Sequence, residues 1–386
     1  MRRTVIIGTG SYAPDNIISN DDIAKLVDTS DEWISSRTGI KERRISTKDT
    51  TTDMAYEAAR AAIKNACVNP EDIDLIICAT ITPDYFMPSV ACMVQGRLKV
   101  DGAAAFDLNA ACTGFVYALV TASQFIQTGM YNKALVIGVD AISKILDWED
   151  RSTCVLFGDG AGAAVLSASE DQDNKGIITS ILSSDGSKHS ILQCEALPIS
   201  NPYSENQDSV KKKHLHTEEL RSSHSGANSL FFQGFEMPLS GIMLDIVKDK
   251  SFTQEPEAQS LEDIDINKKS SVIRMEGQEV FKYAVRNVSE LIKEVLYKAD
   301  MRGEDISCII SHQANSRIIE AVAKNCNIPS SKFFMNLDRY GNTSSASIGI
   351  ALDEVSRAGT LRKGDKVILV GFGGGMTSGA VVLEWS

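Results

Sequence analysis

No apolar run in the chain approaches the ~18–20 residues that a membrane-spanning helix needs, so no membrane span is expected. Nor do the eight cysteines include a CxxC pair, and they are scattered without paired spacing. Cys67, Cys78, Cys92, Cys154, Cys308 and Cys326 lie in apolar segments, which fits reduced thiols in a cytoplasm better than a disulfide scaffold. The chain starts directly on a strand-like run, without a signal-peptide core or cleavage site, and a cytoplasmic location is expected. Positive charge is in deficit: 39 Lys and Arg against 51 Asp and Glu give a net charge of −12. That argues against nucleic acid as the main partner, and it obliges any acidic protein partner to find a local basic patch. Histidine is scarce, with five residues, four of them (His189, His214, His216, His224) in or beside one polar stretch. His214-Leu215-His216 has no cysteine or carboxylate set at ligand spacing, so no metal site is expected. Gly158-Asp159-Gly160-Ala161-Gly162 lacks the Lys-Ser/Thr ending of a phosphate loop and reads as a tight turn between strands.

What the chain does have is an apolar fraction of 43% over 386 residues, ample for one large domain or two fused halves. Apolar runs at 5–8, 73–79, 103–108, 133–139, 154–158 and 161–167 read as strands. Segments 20–26, 29–36, 51–67, 88–98 and 113–128 read as helices, and the alternation implies an α/β fold. The second half repeats the order. A helix at 279–299 precedes Glu304-Asp305-Ile306-Ser307-Cys308-Ile309-Ile310, just as the helix at 51–67 precedes Glu71-Asp72-Ile73-Asp74-Leu75-Ile76-Ile77; a helix at 343–358 and a strand at 366–371 close the pattern. We read two homologous βαβ-rich halves, 1–172 and 173–386, the second interrupted by a polar insertion at about 200–270. The insertion holds Lys211-Lys212-Lys213 and an apolar island at 230–247, with a helix expected near 237–247.

Cys112 lies where the 103–108 strand ends and a helix begins, in Phe106-Asp107-Leu108-Asn109-Ala110-Ala111-Cys112-Thr113-Gly114-Phe115. There the helix dipole favours a thiolate and small residues leave room for a substrate, although a core cysteine fits the stretch equally well. An internal dyad sets the corresponding turn, Tyr340-Gly341-Asn342-Thr343-Ser344-Ser345, beside it. The end of the 306–310 strand delivers Ser311-His312-Gln313-Ala314-Asn315. Thiol, imidazole and amide thus converge at the interface of the halves. Asn342 suits either a turn or an amide donor to a developing oxyanion, and Phe372-Gly373-Gly374-Gly375 suits either a flexible turn or bare N–H groups for an oxyanion.

In this order these motifs resemble β-ketoacyl-(acyl carrier protein) synthase III, a family of the thiolase superfamily. Ser30-Asp31-Glu32-Trp33-Ile34, Arg37-Thr38-Gly39-Ile40, Gly277-Gln278-Glu279-Val280-Phe281-Lys282 and Ala351-Leu352-Asp353-Glu354 resemble it too, and the likeness runs from Val5 to Trp385 apart from the insertion. The resemblance implies a thiolase-like fold, a five-layered α-β-α-β-α sandwich, in a homodimer. It implies an initiating condensing enzyme of type II fatty-acid synthesis that needs no cofactor. Cys112 takes an acyl group from acyl-CoA, with the N–H groups of Cys112 and Gly374 as the oxyanion hole. Malonyl-(acyl carrier protein) then loses CO2, and His312 with Asn342 holds the enolate that attacks the acyl group. By the same resemblance Trp33 and Arg151 sandwich the CoA adenine, Arg37 meets a CoA phosphate, Asn315 and Phe281 contact the pantetheine arm, and Lys282, Arg317 and Lys324 form a patch for the acidic carrier protein. Met87 reaches across the dimer to the end of the acyl pocket. Ordinary members of the family have a shorter segment where the insertion stands, and a cap over the entrance or the dimer is expected of it. An acyltransferase passing the acyl group to another nucleophile in a specialised pathway is the alternative. The pairing of His312 with Asn342 favours condensation. A thiolase would want a second catalytic cysteine in the C-terminal loop, an elongating synthase a second histidine in place of Asn342, and a non-catalytic acyl-binding scaffold would not need the set.

Overall fold

The structure, a computed structural model, describes residues 2–169, 176–196 and 271–386. Up to Glu195 and from Ser271 onward these form one compact unit. Most of the polar insertion, with its histidines, its lysine run and the helix expected near 237–247, lies outside the described residues, as does the expected boundary between the halves at 172. In chain order the elements are β1 (Arg3–Tyr12), β2 (Ile17–Ser19), α1 (Asn20–Ile23), α2 (Asp31–Thr38), β3 (Glu42–Arg44), α3 (Thr51–Ala66), β4 (Leu75–Ala79), α4 (Val90–Leu98), β5 (Ala104–Leu108), α5 (Gly114–Gln127), β6 (Lys133–Ala141), β7 (Asp159–Ser169) and β8 (Ile177–Ser184). They continue with β9 (Leu192–Cys194), β10 (Ile273–Met275), α6 (Gly277–Ala299), β11 (Cys308–Ser311), α7 (Ser316–Cys326), β12 (Phe333–Phe334), α8 (Leu337–Tyr340), α9 (Ala346–Arg357), β13 (Lys366–Gly373) and β14 (Thr377–Glu384).

Two five-stranded sheets carry the fold, ordered β1-β7-β6-β4-β5 and β8-β14-β13-β11-β12 when the second is read from its far edge. Their pairings match step for step: antiparallel, antiparallel, parallel, parallel. The alternation of side chains across each strand builds the layers. On β4, Ile76 and Cys78 face the core under α3 and α4, whereas Leu75, Ile77 and Ala79 face a central core that holds Phe115 and Leu119 of α5 and Ile348 and Leu352 of α9. On β13, Val367 and Leu369 face that same central core, and Ile368 and Val370 face the core of α6 and α7. The order is helix, sheet, helix, sheet, helix, with α5 and α9 sealed in the middle layer.

Close backbone approach makes that middle layer possible. A Cβ on Gly162 of β7 would stand 2.4 Å from the carbonyl carbon of Gly349 on α9, so only glycine lets sheet and helix meet there.

Several expectations need correction. Residues 154–158 are not a strand: Cys154 N–H donates to Asp150 O (3.0 Å) and Leu156 N–H to Thr153 O (3.0 Å), so the backbone closes on itself in turns and only Phe157 bridges, to Asn342. The helix expected from 343 starts at Ala346, because Ser344 adopts a left-handed backbone (φ 50°). The cysteines of the apolar segments are all free thiols, as expected; Cys67 and Cys92 are exposed, Cys326 is half-buried, and Cys78, Cys154 and Cys308 are buried.

Candidate active site

Cys112 sits in the 3-10 turn Ala111–Thr113 between β5 and α5, with 7% of its surface exposed. The end of β13 presses against it: a Cβ on Gly373 would lie 2.7 Å from the Cys112 nitrogen. The start of β14 clasps the same turn, Thr377 Oγ1 donating to Ala110 O at 3.0 Å. Backbone strain gathers here. Seven non-glycine residues among those described have positive φ; Cys67, Lys99, Asp300 and Asn327 are helix C-caps. The other three are Ala111, beside Cys112; Ser344, whose hydroxyl touches Cys112; and Met376, in the turn that follows Gly373. Buried strain of this kind is characteristic of functional sites.

The Cys112 thiol donates to Ser344 Oγ at 3.5 Å. Burial pushes its pKa up to about 12, against the opposing pull of that hydrogen bond. Desolvation of the charged sulfur thus opposes the pull of the helix dipole toward a thiolate. His312 follows β11, with its N–H on Val370 O at 2.8 Å. Its ring is 2% exposed, packs edge-on to Phe372 at 5.2 Å, and burial pushes its pKa down to about 3. The imidazole is neutral. Its Nδ1 lies 2.7 Å from Ser347 Oγ, which also receives Gln313 N–H at 3.5 Å. With Gln313 N–H on one lone pair of Ser347 Oγ, the serine proton is free to turn to Nδ1, and in that tautomer Nε2 is the N–H donor. Asn342 is fixed in the same way: its Oδ1 accepts Ser344 N–H at 2.9 Å, and among the described residues nothing takes its Nδ2. Both side chains have their acceptor ends filled, which leaves donors.

The structure brings Cys112, Asn342 and His312 together through these intermediaries, Ser344 on one side and Phe372-Gly373 on the other. Gly374 borders the site as well, since a Cβ there would meet that of Ala111 at 3.3 Å. Ser344, Ser347 and the buried Asp140 escaped the sequence reading. The run of hydroxyls after Asn342 was the available signal, but which of them meets thiol or imidazole depends on the left-handed turn at Ser344.

The remaining candidates lie outside this cluster. The Arg151 guanidinium stacks on Trp33 at 4.2 Å from the ring centre and Arg37 stands 4.8 Å from it. Arg151 thus covers the ring face that a purine would take, and an adenine sandwich requires it to swing away. Asn315 caps α7 through Arg317 N–H (2.9 Å) and donates to Arg37 O (3.1 Å), so both ends of its side chain already hold structure. Phe281, Lys282, Arg317 and Lys324 line a 640 Å3 surface cavity with Glu320, and Lys282 is paired to Glu279 at 2.8 Å. Met87 is 85% exposed, beside Tyr85 (60%) and Phe86 (84%). Among the described residues no group of His, Cys, Asp and Glu is arranged to hold a metal, and no helix is long and apolar enough to cross a membrane.

Family models match residues 106–186, described as 3-oxoacyl-(acyl-carrier-protein) synthase III, and 296–385, described as its C-terminal part. The β-ketoacyl-(acyl-carrier-protein) synthase III of Clostridium acetobutylicum is 45% identical over 100% of both chains. The chain belongs to the 3-oxoacyl-(acyl carrier protein) synthase III family. Solved structures agree: the synthase III of Aquifex aeolicus superposes with a TM-score of 0.78 at 42% identity, covering 99% of this chain and 100% of that one. The Pseudomonas aeruginosa enzyme gives 0.78 at 35%, covering 100% and 98%. The fold is thiolase-like, and the protein is a condensing enzyme, a transferase of the kind that initiates fatty-acid synthesis.

Proposed function

We propose that the enzyme loads a primer acyl group from acyl-CoA onto Cys112 and condenses it with the malonyl group of malonyl-(acyl carrier protein), giving 3-oxoacyl-(acyl carrier protein), CO2 and CoA. One observation carries this reading: Ser347 Oγ lies 2.7 Å from His312 Nδ1 and Ser344 N–H fills Asn342 Oδ1, an arrangement that suits Nε2–H and the amide as two donors. An enolate needs two such donors, and a simple acyl transfer to an alcohol or amine does not.

Cys112 Sγ attacks the primer thioester, with the N–H groups of Cys112 and Gly374 receiving the oxyanion. After CoA departs, the malonyl thioester oxygen takes His312 Nε2–H and the Asn342 amide. Loss of CO2 places the electron pair in the enolate, whose carbon attacks the acyl-Cys112 carbonyl. A neutral His312 suits this role, because it donates without having to be deprotonated first. Decarboxylation supplies the carbanion, so the reading calls for no cofactor. CoA is assigned to Trp33, Arg37 and Arg151, the pantetheine arm to Phe281 and Asn315, and the acidic carrier protein to Lys282, Arg317 and Lys324 around their cavity. The exposed Tyr85-Phe86-Met87 segment is assigned to a homodimer in the cytoplasm, with Met87 closing the partner's acyl pocket.

The test is mass spectrometry of Cys112 after incubation with a panel of acyl-CoAs, followed by malonyl-(acyl carrier protein) and measurement of CO2. Acylation at Cys112 and CO2 release dependent on the carrier protein are expected; acylation discharged to another nucleophile without CO2 would overturn the reading.

A further inference from the structure

The oxyanion hole of the proposed chemistry, on which this inference rests, is split between two pieces of backbone far apart in the chain. The Cys112 N–H belongs to the turn that follows β5, and the Gly374 N–H to the turn between β13 and β14. Two donors act on one oxygen only if both lie about 2.7–3.1 Å from it. Neither turn is relaxed by itself. Ala111 (φ 45°) precedes Cys112 in a left-handed conformation, and Gly375 (φ 70°) and Met376 (φ 48°) follow Gly374 in the same region. For Ala111 and Met376 that conformation persists only where surrounding contacts hold it.

Two hydroxyls join the turns. Thr377 Oγ1 lies 3.0 Å from Ala110 O and 3.1 Å from Gly374 O, so one side chain reaches the peptide ahead of Ala111 and the peptide that follows Gly374. Carbonyl oxygens only accept, so the proton facing them is that of Thr377. Thr113, fully buried, stands 3.0 Å from Thr377 Oγ1 and 3.2 Å from Thr377 O. With the Thr377 proton turned to the carbonyls, Thr113 is the donor in the contact between the hydroxyls. Thr113 is also the N-cap of α5, where a threonine ordinarily offers its oxygen to the first N–H groups of the helix; here it makes no capping bond and turns to Thr377 instead. Ala110 O receives Thr113 N–H at 3.1 Å as well, which closes the turn around Cys112. Backbone packing leaves little slack: a Cβ on Gly373 would lie 2.7 Å from the Cys112 nitrogen, and one on Gly371 would lie 3.4 Å from Thr113 Cα. The far side of the Gly374 turn is fixed by other groups, Met376 O accepting Tyr283 Oη–H at 2.7 Å and Asp185 N–H at 3.2 Å.

We propose that Thr377, with Thr113 behind it, is the positioning pair of the oxyanion hole. The pair sets the distance between the Cys112 and Gly374 N–H groups, and acts on thioester attack through the backbone alone.

Thr377→Val and Thr113→Val remove the hydroxyls and keep the shape, whereas Thr377→Ser keeps the hydroxyl. Each protein is loaded with an acyl-CoA carrying an isotope-labelled carbonyl, without malonyl-(acyl carrier protein). The acylation rate of Cys112 and the infrared carbonyl band of acyl-Cys112 are read. Alkylation of Cys112 by iodoacetamide, followed by mass spectrometry, is the control, because displacement at a saturated carbon forms no oxyanion. In Thr377→Val acylation at saturating acyl-CoA should fall by about 10- to 100-fold, and the band should move to higher wavenumber as its hydrogen bonds weaken. Alkylation should stay within about twofold of wild type. Thr113→Val should show a smaller loss and the same direction of shift, which decides the matter independently of how well Thr377→Val folds. The double variant should be no slower than Thr377→Val, since Thr113 acts through Thr377. Thr377→Ser should restore both rate and band. Unchanged acylation and band in the valine variants, or additive losses in the double variant, would overturn the proposal. So would alkylation falling together with acylation, the mark of a pair that is merely structural. Failure of the wild type to acylate Cys112 would instead strike at the condensing mechanism, and the pair would then have no oxyanion to serve.

Discussion

A serine decides which end of the imidazole faces the substrate. Ser347→Ala removes the partner of His312 Nδ1, so the tautomer with the proton on Nε2 loses its support. Malonyl decarboxylation is expected to drop by about 10- to 100-fold while Cys112 acylation stays near wild type; nitrogen NMR of His312 should show the tautomers mixing, and an unchanged spectrum would refute the assignment. The ring's pKa makes a second prediction. His312 has a folded value of about 3 against an ordinary 6.5. Between those values the unfolded chain binds a proton that the folded site refuses, so stability is unaffected above about pH 6.5 and declines as pH falls below it. At pH 5 this contribution is about 2 kcal/mol. Urea unfolding of His312→Gln should show a shallower loss between about pH 6.5 and 5 than wild type does; parallel curves would mean that His312 titrates normally.

At the scale of the elements, the site depends on backbones that touch. Gly162→Ala places a methyl group 2.4 Å from the Gly349 carbonyl carbon, with backbone on the far side and no side chain able to yield. A loss of about 2–4 kcal/mol is expected, read as a lower urea midpoint, with Cys112 acylation failing along with the fold. Such contacts explain what was legible in the sequence. Periodicity revealed most of the strands and helices because each has one face on a core, and the repeated order revealed the two sheets because both obey the same pairing rules. The ends of elements were less legible: Ala111 and Ser344 carry no glycine to mark a left-handed turn, and 154–158 is as apolar as a strand although its N–H groups bond within turns. Cys112 and His312 stood out as reactive types at strand ends, and Asn342 as an amide in the turn before a helix. Ser344 and Ser347 did not, since their roles follow from contacts across as many as 232 residues of chain.

For the whole molecule, a net charge of −12 repels an acidic carrier protein, so the proposed docking calls for a local basic patch, the role assigned above to the cavity edged by Lys282, Arg317 and Lys324. Lys282→Glu with Lys324→Glu should raise KM for malonyl-(acyl carrier protein) by about tenfold, and added salt should weaken the wild type toward the variant. KM for acyl-CoA should be unchanged; a parallel rise would place CoA, rather than the carrier protein, on this face. The apolar side chains of Tyr85, Phe86 and Met87 project into solvent in a single chain, a cluster that a second subunit is expected to cover. If Met87 ends the partner's acyl pocket, the length of primer accepted is a property of the pair rather than of either chain. A flexible thioether yields to longer acyl groups, whereas an indole does not. Met87→Trp should therefore keep acetyl transfer within about twofold and lower transfer of longer or branched primers by about tenfold or more, the difference of a few methylene groups excluded from an apolar pocket. Phe86→Glu, by contrast, should split the pair in sedimentation and lower transfer of every primer alike. Equal relative rates across acyl-CoA lengths in Met87→Trp would place the end of the pocket within one chain, and primer choice would then have to be sought among residues beside Cys112.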